Sequence, residues 1–283
     1  MWKIKILLYN IGRLFKIIQE TGFKTSFLKI FHYMGLGKHY LYVKYPVTAN
    51  SFKVSGYSNW WKKFECGNYE LNCMKYISNV LKEGQIVFDV GAWIGPYTLL
   101  CAKSVKDSGR VYAFEPDPEA RRFLSRNVKM NGLSNVKIHD FAITNTRGES
   151  NLQVYGRLGD SETNLIGRQQ EGISNSILVK TTTIDDFCKE QLVWPDGIKI
   201  DVEGTEALVL QGSQNTIKAC RPWILVEFHG NFMSRQERIR NWSIITNSAK
   251  KVTFIEGNSS RYSYGSNMNS MPDCLYCNIF IEY

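Results

Sequence analysis

From residue 85 onward, short apolar runs alternate along the chain with segments whose apolar positions recur every three to four residues. The apolar runs predict seven strands, over 86–90, 110–114, 136–140, 198–202, 223–228, 252–256 and 275–282. The periodic segments predict four helices, over 96–105, 118–131, 204–218 and 234–249. This alternation indicates an α/β fold, a doubly wound, seven-stranded and mainly parallel sheet with helices on its faces.

Residues 144–183 interrupt the alternation. Within them, 150–155 and 177–183 alternate apolar and polar positions, which is typical of half-buried strands, and a polar stretch with several glycines separates them. We therefore predict a hairpin inserted over the carboxyl edge of the sheet. Residues 257–273 are rich in Ser, Asn, Gly and Tyr, and they predict a second long loop on the same rim, of the kind that often forms a lid.

The amino-terminal residues have a different pattern. Apolar residues recur at helical spacing across residues 4–18 and basic residues fall on the opposite side, which predicts an amphipathic basic helix. Residues 1–44 carry eight Lys and Arg against one acid, a balance of +7 within the net charge of +9 of the chain. We predict a basic amphipathic N-terminal arm over 1–60, followed by the α/β domain over 61–283.

Two roles of this helix stay open. It lies in the headgroup plane of an anionic membrane, or it packs on its own domain or on a second copy of the chain. Amphipathic helices are common in soluble folds, which favours packing. Arg13 and Lys16 interrupt the apolar run and no cleavage site follows, so the segment does not resemble a signal peptide. We expect a cytoplasmic protein, with any membrane contact made peripherally at the inner face through residues 1–20.

Composition narrows the class of protein further. The 283 residues are 43% hydrophobic, enough for one large core, and no uncharged apolar stretch is long enough to span a membrane. The chain is basic overall, but the residues after position 44 are close to neutral, so nucleic acid is not predicted as a partner. The seven cysteines are an odd number scattered through apolar segments, which is typical of reduced thiols.

A glycine-containing turn follows the first strand of the predicted sheet. The run Asp89-Val90-Gly91-Ala92-Trp93-Ile94-Gly95 allows a tight turn at Gly91 and a close backbone approach at Gly95, so main-chain amides would face a ligand. A dinucleotide-binding loop has glycine at the position of Trp93, whose side chain would block a pyrophosphate. S-adenosylmethionine has no pyrophosphate, and Asp89 could meet its ammonium group. The alternative is that the glycines only form a tight crossover.

Two further strand ends predict an adenosine site. Glu115 ends the second strand, 24 positions after Gly91, where a carboxylate can accept hydrogen bonds from both ribose hydroxyls. NAD-dependent enzymes use the same position, so Glu115 alone does not choose between the two cofactors. At the end of the third strand, Asp140 could accept from an adenine amino group and Phe141 could flank the ring.

Carboxylates and a histidine follow the fourth and fifth strands. Asp201, Glu203 and Glu206 lie where the fourth strand meets the next helix, beside the switch point at which ligands bind, and His229 comes after the fifth strand. Asp201, Glu203 or His229 could act on a proton as a general base. Alternatively, Glu203 and Glu206 cap the next helix and His229 is a hydrogen-bonded residue at the edge of the core. The same side chains are competent metal ligands, but nothing in their spacing requires a metal, and we predict none.

These residues occur in the order found in a known family. The stretch 67–229 resembles the FkbM-type S-adenosylmethionine-dependent methyltransferases. The motifs that carry the resemblance are Gly67-Asn68-Tyr69-Glu70, Asp89-Val90-Gly91-Ala92-Trp93-Ile94-Gly95, Tyr97-Thr98-Leu99, Phe114-Glu115-Pro116, Asn127 with Asn131-Gly132, Thr183-Ile184-Asp185, Lys199-Ile200-Asp201-Val202-Glu203-Gly204-Thr205-Glu206, Arg221-Pro222 and Glu227-Phe228-His229. The segment 199–206 is the most specific. Trp93 stands where the family usually has Asn, and Thr205 stands where it usually has Ala.

The resemblance implies a Rossmann-like methyltransferase fold whose last strand runs antiparallel, with S-adenosylmethionine in a pocket bounded by Gly91, Glu115 and Asp140. Gly67 and Glu70 would close over the methionine end of the cofactor. The expected cofactor-binding residues are Glu70, Asp89, Gly91, Ala92, Gly95, Thr98, Glu115, Asp140, Phe141 and Asp201. The implied reaction is O-methylation of a hydroxyl group, often on a sugar, a glycan or a natural product.

The expected mechanism is in-line methyl transfer to a substrate oxygen, with Asp201, His229 or Glu203 as the catalytic residue that accepts the hydroxyl proton. The expected partner is a small-molecule or glycan acceptor. Two other classes of function stay open. An NAD-type oxidoreductase would share the glycine turn and Glu115, and a non-catalytic, membrane-attached binding module would keep the pocket without transfer, in line with the basic arm and Trp93.

Overall fold

The computed structural model describes residues 40–155, 158–159, 163, 165, 173–230, 233–246, 249–255 and 276–283. The predicted helix within residues 1–20 and the predicted loop over 257–273 lie outside the described residues. So does most of the glycine-containing stretch between the two inserted strands.

The described elements alternate between strands and helices after residue 85. The strands are β1 (Leu41–Lys44), β2 (Ser51–Val54), β3 (Ile86–Val90), β4 (Arg110–Phe114), β5 (Val136–His139), β6 (Ala142–Ile143), β7 (Gly148–Tyr155), β8 (Ile173–Thr182), β9 (Gly197–Ile200), β10 (Trp223–Phe228), β11 (Lys251–Ile255) and β12 (Cys277–Glu282). The helices are α1 (Ser58–Glu65), α2 (Leu71–Val80), α3 (Pro96–Val105), α4 (Pro118–Met130), α5 (Ile184–Gln191), α6 (Glu206–Gln211), α7 (Gln214–Cys220) and α8 (Arg235–Thr246).

Seven strands form the main sheet, in the order β11-β12-β10-β9-β3-β4-β5. Neighbours from β10 to β5 pair in parallel, whereas β12 is antiparallel to both β10 and β11. The predicted α/β fold with a seven-stranded, mainly parallel sheet is confirmed, and so is the antiparallel last strand. The chain leaves β3 toward β4 and β5 on one side and returns to β9 and β10 on the other. The carboxyl ends of β3 and β9 therefore form the switch point at which a ligand crevice opens.

The central strands form because their residues are apolar on both faces, as strands buried under helices require. All four residues of β9 are buried, and so are four of the five residues of β3. Phe88 on β3 contacts Phe114 on β4 at 5.5 Å between ring centroids and Phe187 on α5 at the same distance, in edge-to-face geometry. These aromatic contacts fix α5 against one face of the sheet.

The helix predicted over 204–218 is wrong as a single element. Two shorter helices, α6 and α7, replace it, with Gly212 and Ser213 between them. A Cβ atom at Gly212 would overlap the carbonyl oxygen of Thr144, and the Gly212 carbonyl accepts from the Asp185 amide at 2.9 Å. The close approach of two other segments thus interrupts the helix, and α5, which is one of them, is not predicted from the sequence.

The predicted inserted hairpin is present. β7 and β8 pair antiparallel, and β6 joins β8 in parallel to make a separate three-stranded sheet. Leu152 and Val179 are buried with Ala142 in a small apolar cluster of their own. The insertion is therefore held by its own core beside the main sheet.

Residues 42–60 belong to the same compact unit as the α/β domain, which spans Tyr42–Tyr283. The Tyr45 hydroxyl donates to the Pro96 carbonyl at 2.9 Å, and the Asn127 side chain accepts from the Ser55 amide at 2.7 Å. We placed the end of the N-terminal arm at residue 60, and these contacts lead us to propose that it ends before residue 42. Among the described residues, no helix combines the length and apolar character needed to cross a bilayer.

Candidate active site

A cavity of about 950 Å³, measured to its open mouth, lies at the carboxyl end of the main sheet. The ends of β3, β4, β9 and β10 form its floor, the segment between α1 and α2 forms one wall, and the inserted sheet contributes Leu152 to another. Of the predicted site residues, those that line the cavity are Glu70, Asp89, Gly91, Ala92, Glu115, Asp201 and Glu203. The predicted residues that do not line it are Gly95, Thr98, Asp140, Phe141 and His229.

The glycine loop makes its hydrogen bonds within the protein. The amides of Gly91 and Ala92 both donate to the Phe114 carbonyl, at 3.0 and 3.1 Å. The Trp93 amide donates to Glu115 Oε2 at 2.7 Å, and the Gly95 amide donates to the Ala92 carbonyl at 2.9 Å. The expectation that main-chain amides face a ligand does not hold for these four, because Phe114 or Glu115 accepts from three of them and Ala92 accepts from the fourth.

Gly91 has a second role that the motif did not indicate. Its φ is 80°, and a Cβ atom there would overlap the carbonyl oxygen of Asp201. The Asp201 amide also donates to the Val90 carbonyl at 3.0 Å. The missing side chain at Gly91 thus lets the ends of β3 and β9 touch, and it fixes the backbone of Asp201. Gly95 faces the other way, because a Cβ atom there would lie 2.7 Å from Cδ1 of Leu124 on α4.

Glu115 is held in the cavity wall by two backbone amides. Its Oε2 accepts from Trp93 and its Oε1 accepts from the Asp117 amide at 2.8 Å. Burial raises the pKa of Glu115 to about 8, and the two amides offset part of that rise. Each carboxylate oxygen keeps a second lone pair that can accept from a hydroxyl. The carboxylate is therefore oriented before any ligand binds.

Asp89 and Thr98 form a pair in which only the acid reaches the cavity. The Thr98 hydroxyl donates to Asp89 Oδ2 at 2.5 Å, and Thr98 is fully buried. Asp89 Oδ1 is buried and has no hydrogen-bond partner among the described residues. Thr98 is accordingly a positioning residue. The orphan oxygen of Asp89 would be satisfied by a donor such as an ammonium group.

Asp140 and Phe141 are not brought to the cavity. Asp140 is exposed, and the Phe141 ring packs against Phe114 at 5.7 Å and His139 at 5.2 Å. Ala142 and Ile143, which form strand β6 directly after them, make the cavity wall at this place. The difference arises because β5 ends at His139, one residue earlier than predicted, so Asp140 and Phe141 fall in the segment between β5 and β6.

Lys199 is a site residue that the sequence analysis did not assign. It lies in β9, is 3% exposed, lines the cavity and donates to Asp201 Oδ2 at 2.8 Å. Burial lowers the pKa of Lys199, but the carboxylates of Asp201, Asp89 and Glu70 outweigh it, so the pKa is raised and the ammonium is charged. A lysine inside an apolar, fully buried strand is the sequence signal that could have identified it.

Asp201 is ionised as a result. Burial raises the pKa of Asp201, but Lys199 and His229 outweigh that effect and leave the pKa below its usual value. The carboxylate faces the cavity at the switch point, as predicted.

Glu70 lies at the amino terminus of α2 and reaches the same group of charges. Its Oε2 accepts from the Tyr97 hydroxyl at 2.7 Å, and Tyr97 in turn lies under the Lys199 ammonium, 4.7 Å from its ring centroid. Burial raises the pKa of Glu70, and Lys199 opposes that rise. The implied role of Glu70 over the methionine end of the cofactor stays a prediction. Gly67, which was expected to act with it, does not line the cavity.

His229 lies behind the cavity among three acids. Its Nδ1 is 2.8 Å from Glu206 Oε1, and its Nε2 is 3.6 Å from Glu203 Oε2 and 4.0 Å from Asp201 Oδ1. Burial lowers the pKa of His229, but Glu203, Glu206 and Asp201 outweigh it and raise the pKa to about 9. At neutral pH the ring is therefore charged, which disfavours it as a proton acceptor.

Glu206 and Glu227 are both buried beside His229. Glu206 Oε1 also accepts from the Gly204 amide at 2.8 Å, so the capping alternative and the contact with His229 hold together. Glu227, the next-to-last residue of the apolar strand β10, lines the cavity, and no role was predicted for it from the sequence. Burial raises the pKa of Glu227 well above its usual value, and Asp201 adds to that rise.

Three cavity residues other than glycine have left-handed backbones. Their φ angles are 41° at Glu70, 47° at Trp93 and 53° at Glu203. Such conformations cost about 1–3 kcal/mol each in non-glycine residues and are concentrated at functional sites. The backbone strain of this domain is thus partly located around the cavity.

Comparison with known protein families distinguishes the methyltransferase from the NAD-type oxidoreductase. Residues 89–264 match the Methyltransferase FkbM domain family, over more than half of the chain. The chain belongs to the FkbM methyltransferase family. The resemblance stated from the motifs is confirmed, and with it S-adenosylmethionine as the cofactor expected for the domain. The NAD-type alternative is not favoured.

Two curated methyltransferases match part of this chain. It is 27% identical over 177 residues to ribosomal protein L11 methyltransferase of Caldanaerobacter subterraneus subsp. tengcongensis, covering 59% of this chain and 56% of that protein. It is 23% identical over 161 residues to hexuronic acid methyltransferase AglP of Haloferax volcanii, covering 56% of this chain and 62% of that protein. The matched region thus spans less than two thirds of either relative, and their names specify different acceptors.

A solved structure of methyltransferase FkbM from Methylobacillus flagellatus is also similar. It has 16% sequence identity and a TM-score of 0.45, and the match covers 80% of this chain and 55% of that one.

Proposed function

We propose that this FkbM-family protein is an S-adenosylmethionine-dependent O-methyltransferase that methylates a hydroxyl group of a sugar or glycan. The observation that carries the proposal is Asp201. Its carboxylate is held ionised by Lys199 and faces the same cavity as Glu115 and Asp89. An ionised carboxylate at this place can take the proton of an incoming hydroxyl.

The cavity residues fit S-adenosylmethionine, which supplies an activated methyl group when it is bound. Glu115 offers two oriented oxygens to the ribose hydroxyls. Asp89 Oδ1, which has no partner among the described residues, suits the ammonium of the methionine end, and Glu70 lies in the same cavity. Lys199, whose pKa is raised, provides a cation for the carboxylate of that end.

In the proposed transfer, the protein forms no covalent bond with either reactant. The acceptor oxygen gains the methyl carbon as the bond from that carbon to sulfur breaks, and the hydroxyl proton passes to Asp201 or to its neighbour Glu203. The products are a methyl ether and S-adenosylhomocysteine. The chain contributes alignment of the two reactants and an anionic proton acceptor.

Aromatic side chains at the mouth of the cavity support a sugar acceptor. Trp60, Tyr69 and Trp93 line the cavity, and the Trp60 ring lies 4.8 Å from Trp93 and 4.9 Å from Tyr69 between centroids. Such groups combine an apolar face with a polar edge, which suits the C–H faces and hydroxyls of a pyranose. One relative, AglP, is by its name a hexuronic acid methyltransferase, which favours the same acceptor class.

Calorimetric titration of the full chain tests the cofactor half of this proposal. We expect S-adenosylhomocysteine to bind and NAD not to bind, because Trp93 replaces the glycine that a pyrophosphate requires. Transfer of a radiolabelled methyl group into fractionated cell-envelope glycans tests the acceptor half. The exposed variant Asp107→Asn serves as a control that should transfer as the wild type does. Binding without transfer to any fraction would instead favour the non-catalytic binding module.

Three expectations about location and partners stay predictions. They are a cytoplasmic location, membrane contact through residues 1–20, and the absence of a nucleic-acid partner. Flotation of the full chain with anionic liposomes, compared with a chain that lacks residues 1–20, tests the second. Loss of flotation in the shortened chain would support a membrane-surface helix, whereas no flotation of either chain would support packing of that helix on protein.

A further inference from the structure

We propose that Asp201, Glu227 and His229 bind a divalent metal ion at the inner end of the cavity. Two carboxylate oxygens and one imidazole nitrogen of these residues lie within 4.8 Å of one another. They come from the ends of β9 and β10, next to the switch point. Glu227 and His229 are not among the proposed cofactor contacts, and an ion held with Asp201 would add a cation beside the proposed proton acceptor.

Glu227 provides an observation that points to a ligand. The residue is 3% exposed and lines the cavity, and its Oε2 has no hydrogen-bond partner among the described residues. A buried carboxylate oxygen without a donor is costly, so such groups are normally paired with a hydrogen-bond donor or a cation. A metal ion bound in this cluster would satisfy that oxygen.

The other two ligands are held as metal ligands commonly are. Lys199 holds Asp201 through Oδ2 at 2.8 Å, and Glu206 holds His229 through Nδ1 at 2.8 Å. Asp201 Oδ1 and His229 Nε2 then face each other at 4.0 Å. Two ligands on opposite sides of one small cation stand about 4 Å apart. A carboxylate on the second ring nitrogen of a metal-bound histidine is also a recurrent arrangement.

The charges of the cluster favour a further cation. Two carboxylates, Glu203 and Glu206, lie beside His229, in addition to Asp201 and Glu227. Lys199 is the buried amine among them. Two carboxylates with one imidazole favour Mg²⁺ or Mn²⁺ over softer metals.

The catalytic use of this ion rests on the proposed function, but its binding does not. With Asp201 Oδ1 as a ligand, an open coordination position toward the cavity would polarise the acceptor hydroxyl. The hydroxyl proton then passes to Glu203, and the methyl carbon moves from sulfur to oxygen as before.

Titration of chelator-treated, full-length protein with MnCl₂ alone tests the site. Free Mn²⁺ is followed by electron paramagnetic resonance, and we expect one ion per chain. Glu227→Gln keeps the shape of the side chain and should weaken binding about tenfold or more. Glu83→Gln, which removes an exposed acid paired with Lys106, is the matched control and should bind as the wild type does. Circular dichroism checks that each variant is folded.

A second measurement keeps the test independent of the variants. Pulsed electron paramagnetic resonance on wild-type protein should detect a nitrogen nucleus coupled to bound Mn²⁺, as His229 requires. Absence of binding at millimolar Mn²⁺, absence of the nitrogen coupling, or equal binding by Glu227→Gln and wild type overturns the site.

Calorimetry with S-adenosylhomocysteine on the same samples separates the two proposals. If the protein binds S-adenosylhomocysteine but not Mn²⁺, only the metal-site proposal is refuted. If the protein binds Mn²⁺ but not S-adenosylhomocysteine, only the proposed methyltransferase function is refuted.

Discussion

The two sides of the cavity are built in opposite ways. The loop side is formed by Gly91, Ala92, Trp93 and Glu115. There, each oxygen of Glu115 already accepts one hydrogen bond from a backbone amide. On the carboxylate side, formed by Lys199, Asp201, Glu203, Glu206, Glu227 and His229, side chains contact side chains. There, one oxygen of Glu206 and one of Glu227 are buried without a partner among the described residues.

This contrast separates recognition from chemistry. The loop side is preorganised, so a ligand that binds there meets groups that need no rearrangement. The carboxylate side concentrates negative charge around one buried lysine, so its protonation and its affinity for cations depend on what enters the cavity. We expect variants on the loop side to change cofactor affinity, and variants on the carboxylate side to change turnover.

Asp201→Asn is expected to have the largest effect, because it removes the carboxylate that we propose as the proton acceptor but keeps the size of the side chain. Turnover should fall about 10²–10⁴-fold. The affinity for S-adenosylhomocysteine, measured by calorimetry, should change much less. A comparable loss of affinity and turnover would contradict the division between the two sides.

Gly91→Ala should break the contact that joins the two sides. Its Cβ atom would overlap the Asp201 carbonyl oxygen, so the ends of β3 and β9 must separate. We expect a loss of about 3 kcal/mol or more in the free energy of unfolding, measured with urea. Gly132→Ala is the control, because Gly132 also has a positive φ, 64°, but has open space around it. It should lose only about 1 kcal/mol, and equal losses would show that the contact contributes nothing.

His229 should make the stability of the carboxylate side depend on pH in metal-free protein. Its pKa is raised from 6.5 to about 9, so the folded state holds this proton more tightly than the unfolded state does. Its contribution, up to about 3 kcal/mol, is complete below pH 6.5 and is lost as the pH rises through 9.

Unfolding of wild type and His229→Gln at pH 6 and pH 10 measures this contribution. The difference between the two proteins should be large at pH 6 and small at pH 10. His139, whose pKa is lowered by burial, gives the comparison, since the effect of His139→Gln should not shrink over the same interval. A constant difference for His229→Gln would show that the ring is not held charged by its acids.

Glu115→Gln tests the loop side. It should have the smallest effect of the four predicted changes. The amide keeps the shape but replaces one acceptor oxygen with an NH₂ donor opposite a backbone amide, so affinity for S-adenosylhomocysteine should fall about 10–100-fold. Turnover at saturating cofactor should change little. Glu119→Gln, on the outer face of α4, is the control for both measurements. A drop in turnover without a drop in affinity would contradict the expectation that Glu115 acts in cofactor binding.

The strands of the main sheet could be predicted because their apolar runs are dictated by burial on both faces. The bounds of β3, β4 and β10 agree with the prediction to the residue. The division of the helix at Gly212 could not be predicted, because its cause is a contact with Thr144, far away in the chain.

The candidate site was predictable where a residue ends a strand, and not where it lies inside one. Asp201 and Glu115 follow their strands and were identified, whereas Lys199 and Glu227 lie within apolar strands and were passed over. Periodicity arguments treat a strand interior as core, although a charged residue there is itself unusual. Asp140 was placed differently for a third reason, because β5 ends at His139 and the exposed Asp140 lies outside the strand.

Trp93 links parts of the molecule that are distant in sequence. Its amide binds Glu115, and its indole Nε1 donates at 2.7 Å to the carbonyl of Gly159, between the two long strands of the insertion. Gly159 in turn donates to Asp117 Oδ2 at 2.6 Å. A relative with asparagine at position 93 that receives this insertion would lack the hydrogen bond to residue 159 unless the tryptophan is transplanted too. Residues 93 and 159 are therefore best exchanged as one unit in any attempt to redesign acceptor choice.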